Sequence, residues 1–252
     1  MFLRLLALIT CLTSPLAAEE IVLGLSQNEV AITANFDGKD ILIFGAIKRE
    51  TPISNEGPLE VIVTVSGPSE PVTVRRKAWR YGIWINTAAV DVDAAPSFYA
   101  VATTNPIQQV LSDVEDLRHK VTIPRAIRSV GAPMDVMDSE SFTEALIRIR
   151  GAEDSYQLLE GAVDLDQDTL FRTAISLPAN LTAGDYVTRI FLTRNGQVID
   201  QYETPIAVQK VGLERFLFNL AHENPFLYGL MSLTIAIAAG WGASAAFRAF
   251  QR

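Results

Sequence analysis

From Phe226 to Phe247 the chain carries no charged side chain, and Arg248 and Arg252 follow at once. Twenty-two residues at a helical rise make about 33 Å, against a bilayer core of about 30 Å. Pro225 stands where a helix start tolerates proline, Phe226 and Tyr228 sit where interfacial aromatics belong, and the two arginines mark a cytoplasmic flank. The run therefore predicts one membrane span over 225–247 and a cytosolic tail over 248–252. The competing reading, a core helix of a soluble domain, fits poorly with so long an uncharged stretch.

The other end of the chain differs in kind. Arg4 supplies a positive flank, Leu5 to Leu12 a short apolar run, and Leu16-Ala17-Ala18 a small-residue cleavage site. Residues 1–18 read as a cleaved signal peptide, with Glu19 the first mature residue. An uncleaved N-terminal anchor is the alternative. A lipoprotein signal at Cys11 is disfavoured by Thr10 and by the brevity of the preceding run. Cys11 is the sole cysteine, so the exported part is expected to hold no disulfide and no zinc–cysteine site. Together the two ends predict a bacterial inner-membrane protein with its body in the periplasm and its C-terminus in the cytoplasm.

Removing Arg4 takes the net charge from −8 to −9, and setting aside Arg248 and Arg252 leaves −11 on the body. Such a surface repels phosphate backbones, so nucleic acid is not an expected partner. About 200 residues remain outside the membrane, enough for real cores.

The body is mainly β. Val30 to Phe36, Asp40 to Ile47, Leu59 to Val65, Val72 to Arg76, Gly82 to Asn86 and Phe98 to Thr103 read as strands. Turn signals at Asp37-Gly38, Asn55 to Pro58, Gly67-Pro68 and Ala95-Pro96 separate them. Residues 19–105 thus predict a β-sandwich. Residues 106–160 switch to helical period. Asn105 is placed as N-cap with Pro106 at the first helical position, ahead of the stripe Ile107, Val110, Leu111, Val114 and Leu117. A second helix follows, with a capping box of Ser141 and Glu144 and the stripe Phe142, Ala145, Leu146 and Ile149, ending or kinking at Gly151. Strands return over 161–210. Gly184-Asp185-Tyr186 resembles the tyrosine corner of immunoglobulin-like sandwiches, and Asn195-Gly196 predicts a type I′ hairpin. The fold class is thus an immunoglobulin-like β-sandwich, one or two, with a helical segment and a single C-terminal span. Residues 211–224 form an amphipathic stretch with Leu213, Phe216, Leu217 and Leu220 on one face. It lies on the bilayer or packs on the sandwich.

Phe44-Gly45-Ala46-Ile47, the basic run Val74-Arg75-Arg76-Lys77, the segment Gly82-Ile83-Trp84-Ile85-Asn86 and the C-terminal span together resemble a family of alphaproteobacterial transmembrane proteins. The resemblance implies a periplasmic domain held on the inner membrane. It brings no activity with it, so no catalytic residue is carried over.

Two candidate contact regions follow from the residues. Arg75, Arg76, Lys77 and Arg80 interleave with Trp79, Tyr81 and Trp84, a basic-aromatic patch on an acidic body. It suits a small anion, a lipid headgroup or an acidic partner loop. The plainer reading has basic residues solvating one strand face while Trp84 fills the core. In the span, Ala236, Gly240 and Ser244 form one small-residue stripe and Ala238, Gly242 and Ala246 another. Such stripes allow close helix packing, though an alanine-rich helix shows some by chance. Asp164, Asp166 and Asp168 have calcium-loop spacing, but Thr169 and Ile175 stand where the loop needs glycine and glutamate. His119 and His222 form no triad, and no nucleotide or nucleophile-elbow motif occurs. No catalytic residue, metal or cofactor is assigned. The expected function is a non-enzymatic accessory protein partnering an integral membrane protein such as a transporter or envelope complex. The alternative is a binding module for an anion or lipid headgroup. An unrecognised hydrolase is the weakest reading.

Overall fold

The computed structural model describes residues 19–25, 29–32, 38–49, 57–129, 138–210 and 213–250. The signal-peptide reading of 1–18, the second half of the Val30–Phe36 run, the start of the turn at Asn55-Glu56 and the last two residues of the tail lie outside them.

Twelve strands and six helices are described. The strands are β1 (Glu20–Leu25), β2 (Glu29–Ile32), β3 (Lys39–Lys48), β4 (Leu59–Ser66), β5 (Ser69–Arg80), β6 (Ile83–Pro96), β7 (Tyr99–Thr103), β8 (Tyr156–Glu160), β9 (Asp164–Asp166), β10 (Leu170–Leu177), β11 (Gly184–Arg194) and β12 (Gln197–Lys210). The helices are α1 (Ile107–Val110), α2 (Asp113–His119), α3 (Ile123–Ala126), α4 (Glu140–Ala152), α5 (Leu213–Glu223) and α6 (Pro225–Phe250).

Two sheets face each other. One has the order β1-β3-β10-β9 and the other β2-β12-β11-β4-β7-β8. Taking β1, β3, β4, β9, β10, β11 and β12 as A to G, the orders become A-B-E-D and G-F-C, the immunoglobulin arrangement. β7 and β8 extend the second sheet where variable-type domains add strands, and β2 adds a parallel edge beside β12. Strands before 105 and after 161 alternate within both sheets: β10 pairs with β3, and β11 lies between β12 and β4.

Alternation builds the core. In β10, Phe171, Thr173, Ile175 and Leu177 all point inward. They meet Ile41, Ile43 and Ile47 of β3 and Val61, Val63 and Val65 of β4. Gly45 is needed at this point, because a Cβ there would stand 2.5 Å from the Phe171 ring and 2.8 Å from the Val22 carbonyl. The second sheet is buried on both faces, which is why β4 is apolar almost throughout. Its outer face carries Ile62, Val101 and Phe191 into a second core with Val110, Leu111, Val121, Phe142 and Leu146 from the helical layer.

The tyrosine corner forms: the Tyr186 hydroxyl donates to the Thr182 carbonyl at 2.9 Å. Asn195 and Gly196 have φ of 52° and 76°, as a type I′ turn requires. Glu19 lies between Arg49 and Arg194, with contacts of 2.8 and 3.1 Å, all three side chains nearly buried. Burial pushes the Glu19 carboxyl up, but the two guanidinium groups overcome it and hold the carboxyl below its usual range.

Several local expectations are corrected. Asn105 is not an N-cap. Its amide donates to Glu60 at 3.0 Å, and the first helix begins after Pro106. The single helix expected from Ile107 is broken at Leu111-Ser112, where the Ser112 N–H donates to the Gly196 carbonyl. Ser141 lies inside α4 rather than at its cap, and its hydroxyl donates to the Asp138 carbonyl. Residues 156–160, read as helical, form β8, parallel to β7. Gly67-Pro68 parts β4 from β5 as read, though as a bend rather than a reversal, whereas Ala95-Pro96 is the end of β6 and not a turn. The Gly67 N–H donates to Phe98 and the Ser97 N–H to Pro68, so the β4–β7 ladder continues through a bend into β5–β6.

Candidate interaction surfaces

The basic-aromatic patch lies on one long antiparallel ribbon. β5 and β6 pair from Ser69↔Pro96 to Arg80↔Ile83 and close through Tyr81-Gly82. Both turn residues have positive φ, 51° and 84°, the backbone a two-residue I′ hairpin demands. A tyrosine there is an expensive choice, by about 1–2 kcal/mol relative to glycine.

The base of the ribbon is packed, with Val74, Val90 and Val92 inside the second core. Beyond Val74 the ribbon leaves the body. Trp79 is 58 %, Tyr81 104 %, Ile83 61 % and Trp84 64 % exposed, so Trp84 does not fill the core. Trp79 and Trp84 are directly paired across the strands, their rings 5.4 Å apart edge to face. Pairing and alternation put Arg75, Lys77, Trp79 and Trp84 on one face of the ribbon, and Arg76, Arg80, Ile83 and Ile85 on the other. Two irregularities, at Glu70/Val72 and Arg76/Lys77, interrupt the ladder.

The four cations are thus split. Among the described residues Arg76 is the one bound to the body: it contacts Asp138 at 3.1 Å, donates to the Ser141 hydroxyl, and stacks over Phe142 at 4.5 Å. That contact, with burial acting the other way, holds Asp138 below the usual carboxylate range, the Ser141 hydrogen bond being the larger cause. Arg75, Lys77 and Arg80 are exposed.

The second surface is α6. Its span Pro225–Ser244 is apolar, and among the described residues none of it is buried. A Cβ added at Gly229, Gly240 or Gly242 would meet nothing within 4 Å. Ala236, Gly240, Gly242 and Ser244 are exposed; the side chain of Ala246 is outside the described set. Before it, α5 runs to Glu223, and the Asn224 N–H donates to Leu220 while Tyr228 donates to Asn224, so the two helices are joined by a single residue. α5 stands beside the sandwich end: a cleft of about 390 Å³ lies between Phe218 and Asn219 and the strand ends Gly184, Asp185 and Val208.

Sequence reasoning missed one polar cluster. On α2 the buried Glu115 lies 3.3 Å from His119 Nε2 and 2.6 Å from Arg118. His119 Nδ1 meets Gln201 at 3.1 Å, its ring packs on Phe191, and Arg189 donates to its carbonyl. Both ring nitrogens are engaged, so the cluster clamps α2 to the sheet. The signal was the i, i+4 pair Glu115/His119, which reads equally well as a surface pair. His222 packs on Phe218 instead, with Nδ1 2.9 Å from its carbonyl. Asp164 pairs with Arg172 at 3.2 Å at the β9–β10 turn, and among the described residues no group of three acidic, histidine or cysteine side chains converges.

An immunoglobulin-like body followed by an unburied apolar helix defines a membrane protein with a β-rich domain and, among the described residues, one candidate span. A family model described as "Putative transmembrane protein (Alph_Pro_TM)" matches residues 20–249, and the chain belongs to that family. A comparison with curated proteins found no match.

Proposed function

We propose that this protein is a non-enzymatic accessory subunit of the bacterial inner membrane. Its sandwich stands in the periplasm, its C-terminus lies in the cytoplasm, and it pairs through α6 with an integral membrane partner such as a transporter or envelope complex. One observation carries the reading: no residue of the apolar span Pro225–Ser244 is buried among the described residues. The glycines at 240 and 242 have open space where a neighbouring helix can approach closely. Arg248 after the span supports the orientation through the bias of positive charge to the cytoplasmic side.

The test is affinity purification of the full chain in mild detergent, with a photo-crosslinking residue at Leu233, two turns before Gly240 on the same face, or at Ile235 on another. A stoichiometric membrane partner should co-purify, crosslink from 233 in preference to 235, and be lost with Gly240→Leu. A chain that purifies alone, or crosslinks equally from both positions, would defeat the reading.

A further inference from the structure

The apolar tip of the β5–β6 ribbon is exposed among the described residues, and its composition says what covers it. We propose that the tip is a second membrane contact: Trp79, Tyr81, Ile83, Trp84 and Ile85 enter the interfacial layer of the bilayer that α6 spans, and Arg75, Lys77 and Arg80 hold anionic phospholipid headgroups behind them.

Four features argue for a bilayer. A ribbon docked on a protein buries one face, whereas here large apolar side chains stand out on both faces, Trp79 and Trp84 on one and Ile83 and Ile85 on the other. An environment that surrounds the tip suits that arrangement. The side chains are tryptophan, tyrosine and isoleucine, and the aromatic ones carry the polar handle favoured where hydrocarbon meets headgroups. The charge is sorted along the ribbon: no acidic residue occurs between Glu70 and Asp91, while four basic ones do. On a body of net negative charge this positive collar complements anionic headgroups, and among the described residues only Arg76 of the four pairs with a carboxylate, that of Asp138.

The fourth feature is position. Ser66 ends β4 opposite Val187, and Val187 lies opposite Pro205 of β12, which runs on to Lys210 and then into α5 and α6. The ladder that becomes β5–β6 starts at the same Ser66. Ribbon and tether therefore leave the sandwich from one end of one sheet. From Val74 to the turn at Tyr81 is seven residues, about 20 Å of strand. Depth is limited, because a two-stranded ribbon has unpaired backbone groups along both edges. These keep the tip in the hydrated interface and out of the hydrocarbon.

The proposal rests on α6 as a span and not on any protein partner, so its test needs lipid alone. The chain has three tryptophans, at 79, 84 and 241. Trp241→Phe leaves emission only from the ribbon tip. This full-length variant is placed one copy per nanodisc in phosphatidylcholine–phosphatidylglycerol, with and without bromine on the acyl chains. The expected result is a blue-shifted tip emission that bromine lowers by about twofold, as for interfacial tryptophan. Adding Arg75→Glu, Lys77→Glu and Arg80→Glu should return the emission to the unquenched, solvent value at an unchanged melting temperature. Unquenched, red-shifted emission from the Trp241→Phe protein would overturn the proposal and make the tip a protein-docking surface. Quenching that survives charge reversal would overturn the headgroup role of the cations.

Discussion

The β4–β7 ladder and its continuation β5–β6 form one antiparallel ribbon with two fates. In β4, Val61, Val63 and Val65 face one core and Ile62 the other, so nearly every side chain is covered. Past the bend at Gly67-Pro68 the same strand geometry carries Trp79 and Ile83 into the open. Backbone pairing is antiparallel in both, interrupted only at the bend and at the two irregularities of β5–β6. What changes is whether another layer lies across the ribbon. Burial in the first half builds the fold. Exposure of comparable side chains in the second half costs stability to no visible structural end, and that is the mark of a contact surface.

The largest effect expected from this comparison is in the core that the covered half faces. Phe171→Ala empties a site packed on Gly45 and should cost about 3–5 kcal/mol, read as a large drop in denaturant midpoint. If the loss were under about 1 kcal/mol, the core assignment would be wrong. Glu19→Ala comes next, at about 3 kcal/mol, because it leaves the nearly buried Arg49 and Arg194 without their counter-charge.

The same carboxylate gives a pH signature. Its folded pKa lies below the unfolded one, so the unfolded chain binds more protons across that window. The stability Glu19 contributes is present above the unfolded value and falls away as pH drops through the folded value. Melting temperature should therefore fall more steeply on acidification below about pH 4.5 in the native protein than in Glu19→Gln. Parallel acid slopes would sink this account of the N-terminal anchor.

Tyr186→Phe deletes the corner bond to Thr182 and should cost about 1 kcal/mol. The smallest change is expected in the open half. Trp84→Ser removes one cross-strand ring contact, worth about 0.5–1 kcal/mol locally, and should leave the main thermal transition of the body in place. A global loss as large as that of Phe171→Ala would erase the distinction between the two halves.

Much of the covered body was legible in the residues. Alternation located β4 and, in part, β10, an apolar run located β3, and Tyr186 and Asn195-Gly196, which act locally, announced the corner and hairpin of β11. The uncharged run over 226–247 was legible because a bilayer demands length and apolarity and little else. The open half was legible only in part. Val72–Arg76 and Gly82–Asn86 read as strands and lie in β5 and β6, but their union as one hairpin was hidden, since nothing about Tyr81-Gly82 advertises a turn when a bulky residue occupies the left-handed first position. Asn105 and Ser141 look like caps, but each side chain found another partner, Glu60 and the Asp138 carbonyl. β8 depends wholly on its pairing with β7, a contact across more than fifty residues that local pattern does not encode. The basic-aromatic patch was visible as composition. Its division between two faces, and the exposure of Trp84, depend on the register of the hairpin.

The central claim is that the β body and the C-terminus lie on opposite sides of one bilayer, joined by α6. Alkaline phosphatase, active only when exported, tests it directly when fused after Lys210 in one protein and after Arg252 in another. The account predicts activity from the first fusion and none from the second. An active fusion after Arg252 would contradict it.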